Sequence, residues 1–319
     1  MTLPSASSPL RTAVIGCGHF GRFHAEKYAA LPDAALVAVV DRDPAKAAAL
    51  AAVLKVEALT DPADLVGRID AASVVVPTQC HFAVASQLIE AGVHLLVEKP
   101  IADTVERATR LIALAKAQNC ILQIGHLERF NAALIALSDV WNQPLFIESH
   151  RLAPFKPRGT DVDVILDLMI HDIDLIQQLV AAPLAAVDAV GVPVLSARDD
   201  IANARLRFEG GCVVNVTASR VSMKSERKMR VFQRDAYISI DFQAGQATVA
   251  RKSEGEMFPG VPNIGIERRN FAGNDALEIE IEAFLAAVRG TRPVAVSGED
   301  GLRALATALE ITRAMQRPA

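Results

Sequence analysis

The sequence predicts an α/β protein: an N-terminal doubly wound, parallel-sheet (Rossmann) domain, then a C-terminal α+β domain with an open, mainly antiparallel sheet. Three observations predict it. As far as Gly125, short apolar runs rich in β-branched residues alternate with helical patterns, as in βαβ units. The first run leads into Gly16-Cys-Gly18-His-Phe-Gly21, a G-x-G-x-x-G that opens a helical stretch. Beyond Gly125 the period changes, and alternating runs separated by turns such as Glu209-Gly-Gly211 and Gln243-Ala-Gly245 take over.

The first strand is read over 13–15 and the first helix over 20–31. Gly16 permits the tight turn, Gly18 leaves no side chain against a pyrophosphate, and Gly21 lets the helix pack close to the strand. The helix N-terminus offers unpaired N–H groups and a positive dipole end to the phosphates, and His19 and Phe20 belong to this same cofactor turn. The second strand, 36–40, ends at Asp41, twenty residues beyond Gly21, where a carboxylate accepts both ribose hydroxyls and selects NAD. Arg42 follows it, placed to meet a 2′-phosphate, and is counted with the cofactor site. Helix 44–54 starts with Pro44 behind the cap Asp43. Strand 72–76, helix 81–91 with Gly92 at its end, strand 95–97, helix 105–118 and strand 121–124 complete the domain.

In the second half, 145–152 reads as a strand and 164–179 as a helix. Strands follow at 204–208, 213–219, 229–233, 236–242 and 247–251. Pro259, Gly260, Pro262 and Gly265 mark 255–270 as a surface loop, and helices 276–289 and 301–317 finish the chain. The domains are set at 1–127, for the dinucleotide, and 128–319, for substrate and oligomerisation. An open sheet with an apolar face predicts a homo-oligomer, a dimer or tetramer.

At 319 residues and 51% hydrophobic, the chain can build two cores. A net charge of −4 gives no general attraction to nucleic acid or to an anionic membrane. Residues 1–9 lack the basic and apolar regions of a signal peptide, and no apolar run is long enough to span a bilayer. The scattered Cys17, Cys80, Cys120 and Cys212 form no C-x-x-C, which suits a reducing, cytoplasmic setting.

Chemistry concentrates at three places. Glu98-Lys99-Pro100 ends the 95–97 strand, where a lysine can reach the nicotinamide end of a crevice and Pro100 suits a cis turn. Asp163, Asp167, His171 and Asp174 fall on one face of an otherwise apolar helix. Asp167, one turn before His171, can orient the imidazole for acid–base work. The pair could also hold a metal, but no third ligand and no H-E-x-x-H accompany it, so none is assigned. The third place is Gly125-His-Leu-Glu-Arg129-Phe-Asn131, at the expected domain junction, where polar residues suit a substrate pocket.

Taken together, these motifs resemble the glucose-fructose oxidoreductase/inositol dehydrogenase/MocA family along essentially the whole chain. The family's E-K-P motif is matched by Glu98, Lys99 and Pro100, its D-x-x-x-H by Asp167 and His171, and its P-x-x-x-H by Pro77 and His81. The resemblance implies an NAD-dependent dehydrogenase, with Thr78, His81 and Glu98 near the cofactor and Lys99, Asp167 and His171 catalytic. A glycine-rich run often found before D-x-x-x-H is replaced here by Thr160-Asp-Val-Asp163. Three segments narrow the resemblance: His19-Phe-Gly-Arg-Phe-His24, Gly125–Asn131 and Arg151-Leu-Ala-Pro-Phe-Lys156-Pro-Arg158. They resemble family members that oxidise the 3-hydroxyl of UDP-N-acetylglucosamine for lipid A or cell-surface polysaccharide synthesis. A UDP-sugar implies cations for its diphosphate, for which Arg129, Arg151, Lys156 and Arg158 are candidates, and Asn131 and Asp163 are counted with the substrate site. The basic run 220–234 is another candidate, or else a solvated edge strand. A free-sugar or polyol dehydrogenase and a non-catalytic NAD-binding regulator are the alternatives.

Overall fold

A computed structural model describes residues 8–156, 163–271 and 275–316. The chain divides into two compact units, one within Met1–Leu127 and Asp275–Leu305, the other within Glu128–Asn274 and Ala306–Ala319. Residues 275–305, which a single cut after residue 127 assigns to the second domain, are therefore counted with the first.

In the first unit the strands are β1 (Leu10–Ile15), β2 (Ala34–Val40), β3 (Glu57–Leu59), β4 (Ala71–Val74), β5 (His94–Glu98) and β6 (Leu122–Gly125). They pair in parallel in the order β3-β2-β1-β4-β5-β6. This is the doubly wound order, whose strand direction of progress reverses between β1 and β4 and so opens a crevice at their carboxyl ends. Helices α1 (His19–Ala30), α2 (Pro44–Leu54), α3 (Thr78–Glu90) and α4 (Val105–Ala117) make the crossovers. Their ends follow local chemistry: Asp43 accepts from the Ala45 N–H behind Pro44, Thr104 accepts from the Arg107 N–H, and Gly92 takes φ 80° after α3. Helix α3 starts earlier than the 81–91 reading, because Pro77 sits just before its first turn.

Helix α7 (Ala276–Val288) completes this unit. Asp275 caps it by accepting from the Glu278 N–H, and Lys27 of α1 pairs with Asp275 at 2.6 Å and Glu278 at 2.9 Å. Its Ile281, Phe284, Leu285 and Val288 join Val14, Tyr28 and Leu96 in one buried cluster. Helix α8 (Gly298–Met315) has its first part in this unit and its last part in the other.

The second unit contains the short α5 (Ala132–Ile135), β7 (Pro144–Leu152), α6 (Ile170–Val180), β8 (Leu184–Val192), β9 (Ile201–Phe208) and β10 (Val213–Ser219). It continues with β11 (Glu226–Gln233), β12 (Ala236–Asp241), β13 (Gln246–Phe258) and β14 (Val261–Asn270). The eight strands run β14-β13-β12-β11-β7-β10-β9-β8, antiparallel except for β7 with β10. One face is core: Ile147, Val214, Val216, Leu206, Met229, Val231, Ile238 and Ile240 are buried. The other face is mixed rather than simply apolar, with the rings of Phe146, Phe232 and Tyr237 in a row and Glu148 paired to Arg230 at 2.6 Å.

Two readings are corrected here. Residues 255–270 are not a loop: they belong to the β13–β14 hairpin, whose tip lies at Pro259 and Gly260. Gly255 and Gly260 take positive φ, and Pro262 lies on the edge strand, where a missing N–H costs the sheet little. The basic run is not an edge strand, since β11 lies between β12 and β7. Strand β8 went unread because its Ala, Gly and Asp residues dilute the alternation.

Candidate functional site

The glycine loop is built by close approach. Gly16 has φ +104°, and a Cβ there would sit 2.4 Å from the Val75 carbonyl oxygen. A Cβ on Gly21 would sit 1.7 Å from the Gly16 oxygen, so only glycine lets α1 start this near the strand. Gly18 has nothing within 4 Å of its would-be Cβ, and no side chain caps the helix that follows it. Open space over the uncapped N–H groups of a helix fits a pyrophosphate. His19 and Phe20 are exposed at this turn, and the His19 ring stands edge-on to Phe20 and Phe23. Asp41 is held facing the loop: its carboxylate accepts the Cys17 N–H at 2.8 Å and the Asp43 N–H at 2.9 Å. Arg42 beside it is exposed. The donor set fits the pyrophosphate and ribose of NAD. Burial pushes the Cys17 thiol up to about 12, which keeps it a neutral packing group.

At the end of β5, the Lys99–Pro100 bond is cis and Lys99 is half-buried. Glu98 turns inward: it meets His24 Nε2 at 3.1 Å and accepts the Lys99 N–H at 3.2 Å. Thr78, the first residue of α3, is half-buried. His81 is buried, with Nδ1 2.8 Å from the Pro100 carbonyl and Nε2 2.8 Å from the Val76 carbonyl. The ring lies between the turn after Lys99 and the end of β4; burial holds its imidazole below the ordinary histidine range although both carbonyls favour the protonated ring, and the neutral ring donates to one of them. Both ring nitrogens of His81, expected near the cofactor, face backbone carbonyls.

In the second unit a π turn, Ile165–Met169, precedes α6. Such turns are frequent at functional sites. Asp163, Asp167 and His171 are half-buried along this stretch. Asp174 departs from the expected stripe: its side chain is 1% exposed and accepts both Nε and Nη2 of Arg129, at 2.6 and 2.7 Å. Asp172, also buried, accepts the Ser149 hydroxyl at 2.8 Å and Arg151 Nε at 2.6 Å, and Arg151 also reaches Glu128 at 2.9 Å.

Two of the residues expected at the substrate, Arg129 and Arg151, form these pairs. Arg129 and Arg151 neutralise buried aspartates, because a carboxylate taken out of water needs a matched cation. Asn131 caps α5 by accepting the Ala133 N–H at 3.0 Å. Lys156 is exposed, and Arg158 lies outside the described residues. In the basic run, Arg220 pairs with buried Asp200 at 2.9 Å, Lys224 with Glu226 and Arg230 with Glu148.

One cluster escaped sequence reading. Glu280 of α7 is completely buried, next to His24 and Glu98. The signal was present: Glu280 falls among Ile281, Phe284 and Leu285 on the buried side of its helix, where an acid is out of place.

Comparison with known proteins places these features. Residues 10–126 match a model described as an oxidoreductase family with an NAD-binding Rossmann fold, and residues 138–239 match the GFO/IDH/MocA C-terminal domain. A UDP-N-acetylglucosamine 3-dehydrogenase of Acidithiobacillus ferrooxidans is 42% identical over 308 residues, covering 96% of this chain and 97% of that protein. An inositol 2-dehydrogenase of Rhizobium meliloti is 25% identical over 316 residues, covering 94% of each. The solved structure of the A. ferrooxidans enzyme matches with a TM-score of 0.90 at 41% identity, over 97% of this chain and 98% of that one. The scyllo-inositol dehydrogenase of Lactobacillus casei, solved with NAD(H) and scyllo-inositol, matches in fold with a TM-score of 0.81 at 23% identity, over 97% of each chain.

Proposed function

The chain belongs to the GFO/IDH/MocA family of oxidoreductases, and from that premise we propose that it oxidises the 3-hydroxyl of UDP-N-acetylglucosamine to a ketone with NAD. The observation that carries this reading is the 42% identity to the A. ferrooxidans 3-dehydrogenase along 96% of the chain. NAD, when bound, accepts the hydride that leaves the carbinol carbon. Gly16, Gly18 and Gly21 with the α1 N-terminus would hold its pyrophosphate, and Asp41 its ribose. His171 takes the hydroxyl proton, with Asp167 orienting the imidazole. Lys99 hydrogen-bonds the same oxygen and steadies its developing negative charge, or exchanges roles with His171. Asp163 and Lys156 are assigned to the sugar nucleotide. The protein is taken to work in the cytoplasm as a homo-oligomer, a tetramer in the fullest form, on a route to lipid A or a cell-surface polysaccharide. No described helix is long and apolar enough to cross a membrane.

A second reading, oxidation of an uncharged sugar or polyol, is favoured by one observation: Arg129 and Arg151 are each paired with a buried aspartate. NADH formation followed by absorbance separates the two. The first reading expects kcat/KM for UDP-N-acetylglucosamine to exceed that for N-acetylglucosamine and myo-inositol at least a hundredfold. Equal or higher values for a free sugar would establish the second, and no NADH with any of them would defeat both.

A further inference from the structure

Behind Lys99 the first unit contains a buried polar cluster to which the reaction as written gives no role. His24 Nε2 or Nδ1 and one carboxylate oxygen each from Glu98 and Glu280 lie within 4.8 Å of one another. They come from three elements: α1, the end of β5, and α7. A chain of hydroxyls feeds the cluster. Tyr28 Oη lies 2.9 Å from Ser73 Oγ, which lies 3.1 Å from His24 Nδ1, and His24 Nε2 lies 3.1 Å from Glu98. A neutral imidazole satisfies the whole run: Tyr28 donates to Ser73, Ser73 to His24, and His24 to Glu98.

The two carboxyls differ in what they receive. Glu98 accepts from His24 and from the Lys99 N–H at 3.2 Å. Among the described residues neither oxygen of Glu280 has a hydrogen-bond partner, although both are buried. An ionised carboxylate in that position would face the full cost of desolvation and the repulsion of Glu98. The surroundings are built to keep the pair in place. Gln123 Nε2 donates to the Glu280 carbonyl at 3.1 Å. Glu98 pairs across the sheet with Gly125, and a Cβ on Gly125 would sit 2.9 Å from Glu98 Oε1.

We propose that His24, Glu98 and Glu280 form a buried acid–carboxylate site, with Glu280 as the neutral acid and Glu98 as the carboxylate, that positions Lys99 and favours the ammonium form of its amine. This rests on the role given to Lys99 under the proposed function. The two carboxyls hold one proton between them, and it resides on Glu280. The negative charge stays on Glu98, which receives the donors and whose backbone continues into Lys99. The ionisable groups facing Glu98 are His24 from α1, Glu280 from α7, His81 from α3 and Lys99 itself. Burial raises Glu280 well above the ordinary carboxyl range and Glu98 raises it further. Burial would raise Glu98 too, but His24 and Lys99 hold it below that range. His24, Glu98 and Glu280 are positioning residues: none is assigned contact with substrate.

The test has two independent arms on the full-length protein. Infrared spectroscopy at neutral pH is expected to show the carbonyl band of a buried carboxylic acid in the parent and its loss in Glu280→Gln. Absence of the band from the parent, or its persistence in the variant, overturns the assignment. So does a stoichiometric divalent metal in protein purified without a metal resin, because three ligands that bind a cation cannot also hold that proton. In the second arm, kcat is followed against pH for Glu98→Gln and His24→Asn, with circular dichroism and thermal melting as checks of folding. Loss of the Glu98 charge is expected to move the limb governed by Lys99 to lower pH by about one unit, the shift an adjacent opposite charge produces. The His24→Asn variant, which removes the donor but not the charge, is expected to move it less. An unmoved limb in a folded Glu98→Gln protein overturns the positioning role. Loss of all sugar oxidation in the parent would defeat the proposed function while leaving the infrared result intact.

Discussion

Gly21 is where a single methyl group meets the least room, since its Cβ would lie 1.7 Å from a backbone oxygen that cannot move without opening the turn. Gly21→Ala is therefore expected to destabilise the protein by about 1–3 kcal/mol and to weaken NAD binding, read by thermal melting and calorimetry. At Asp41, removal of the carboxylate loses its bonds to the Cys17 and Asp43 N–H groups as well as the ribose contact. Asp41→Ala should weaken NAD more than NADP, and tighter NADP than NAD binding by the parent would refute the cofactor assignment. Arg129 tests the charge sorting. Its pair with Asp174 is 9% and 1% exposed, so Arg129→Ala removes the paired cation from a buried carboxylate and should cost about 3–5 kcal/mol in a denaturant titration. A change in KM for the UDP-sugar with unaltered stability would instead return Arg129 to the substrate. His171→Asn should lower kcat about 10²–10⁴-fold while leaving the NAD dissociation constant within a few-fold, because that side chain is not on the glycine loop.

At the scale of elements, the β13–β14 hairpin and the π turn before α6 are where local rules and the fold diverge. The hairpin is a real ladder through Ser253–Asn263, yet its outer residues are exposed on both strands. It lies at the sheet's edge and covers little core. Joining Ser253 to Asn263 through an Asn-Gly turn should therefore change the melting temperature by no more than about 2–4 °C, the shift that about 1 kcal/mol produces. A larger fall would show that the arm packs against more than solvent. The π turn gives Asp167 and His171 a setting that a continuous α-helix would not. Asp163, Asp167 and His171 remain half-buried, while Asp172 and Asp174 turn into the unit and bind arginines. One run of acids thus divides into a group left partly open and a group that anchors the helix to β7 and to the Leu127–Phe130 turn.

For the whole molecule, acid should be the most telling stress. Asp200 is buried, and burial alone would raise its carboxyl. The Ser196 hydroxyl, the Leu195 and Ser196 N–H groups and Arg220 instead hold it well below the ordinary carboxylate range. Its folded value lies below its unfolded one, about 3.9, so its contribution is complete above that pH and is lost as pH falls toward the folded value. Asp70, held low by Arg11, acts in the same direction. Thermal midpoints should fall steeply below about pH 4, and the fall should be shallower in Asp200→Asn. Glu280 has the opposite sign: its folded value is raised, so its contribution is present at low pH and is lost as pH rises above the unfolded value. Glu280→Gln should accordingly raise the midpoint at neutral pH. Light scattering at micromolar concentration is expected to give a multiple of the monomer mass, and a monomer would refute the assembly.

The sequence by itself determined the parallel order's building blocks, the glycine loop, Asp41 at the end of β2, the cap at Asp43 and the cis-compatible Lys99–Pro100 turn. All of these are written in short stretches, because glycine sterics, capping and strand–helix periodicity act between near neighbours. Only the tertiary structure decided which charges meet. Arg129 and Asp174 lie 45 residues apart, Arg151 and Asp172 lie 21 apart, and Glu280 reaches Glu98 from the far end of the chain. Read from the sequence, Arg129 and Arg151 were as open to a diphosphate as Lys156, since nothing local says which arginine will be buried. The return of 275–305 to the first unit and the hairpin at 255–270 have the same origin. Each depends on a partner surface that exists only once the distant chain has folded, and the cost of burying an unmatched charge then selects the pairings.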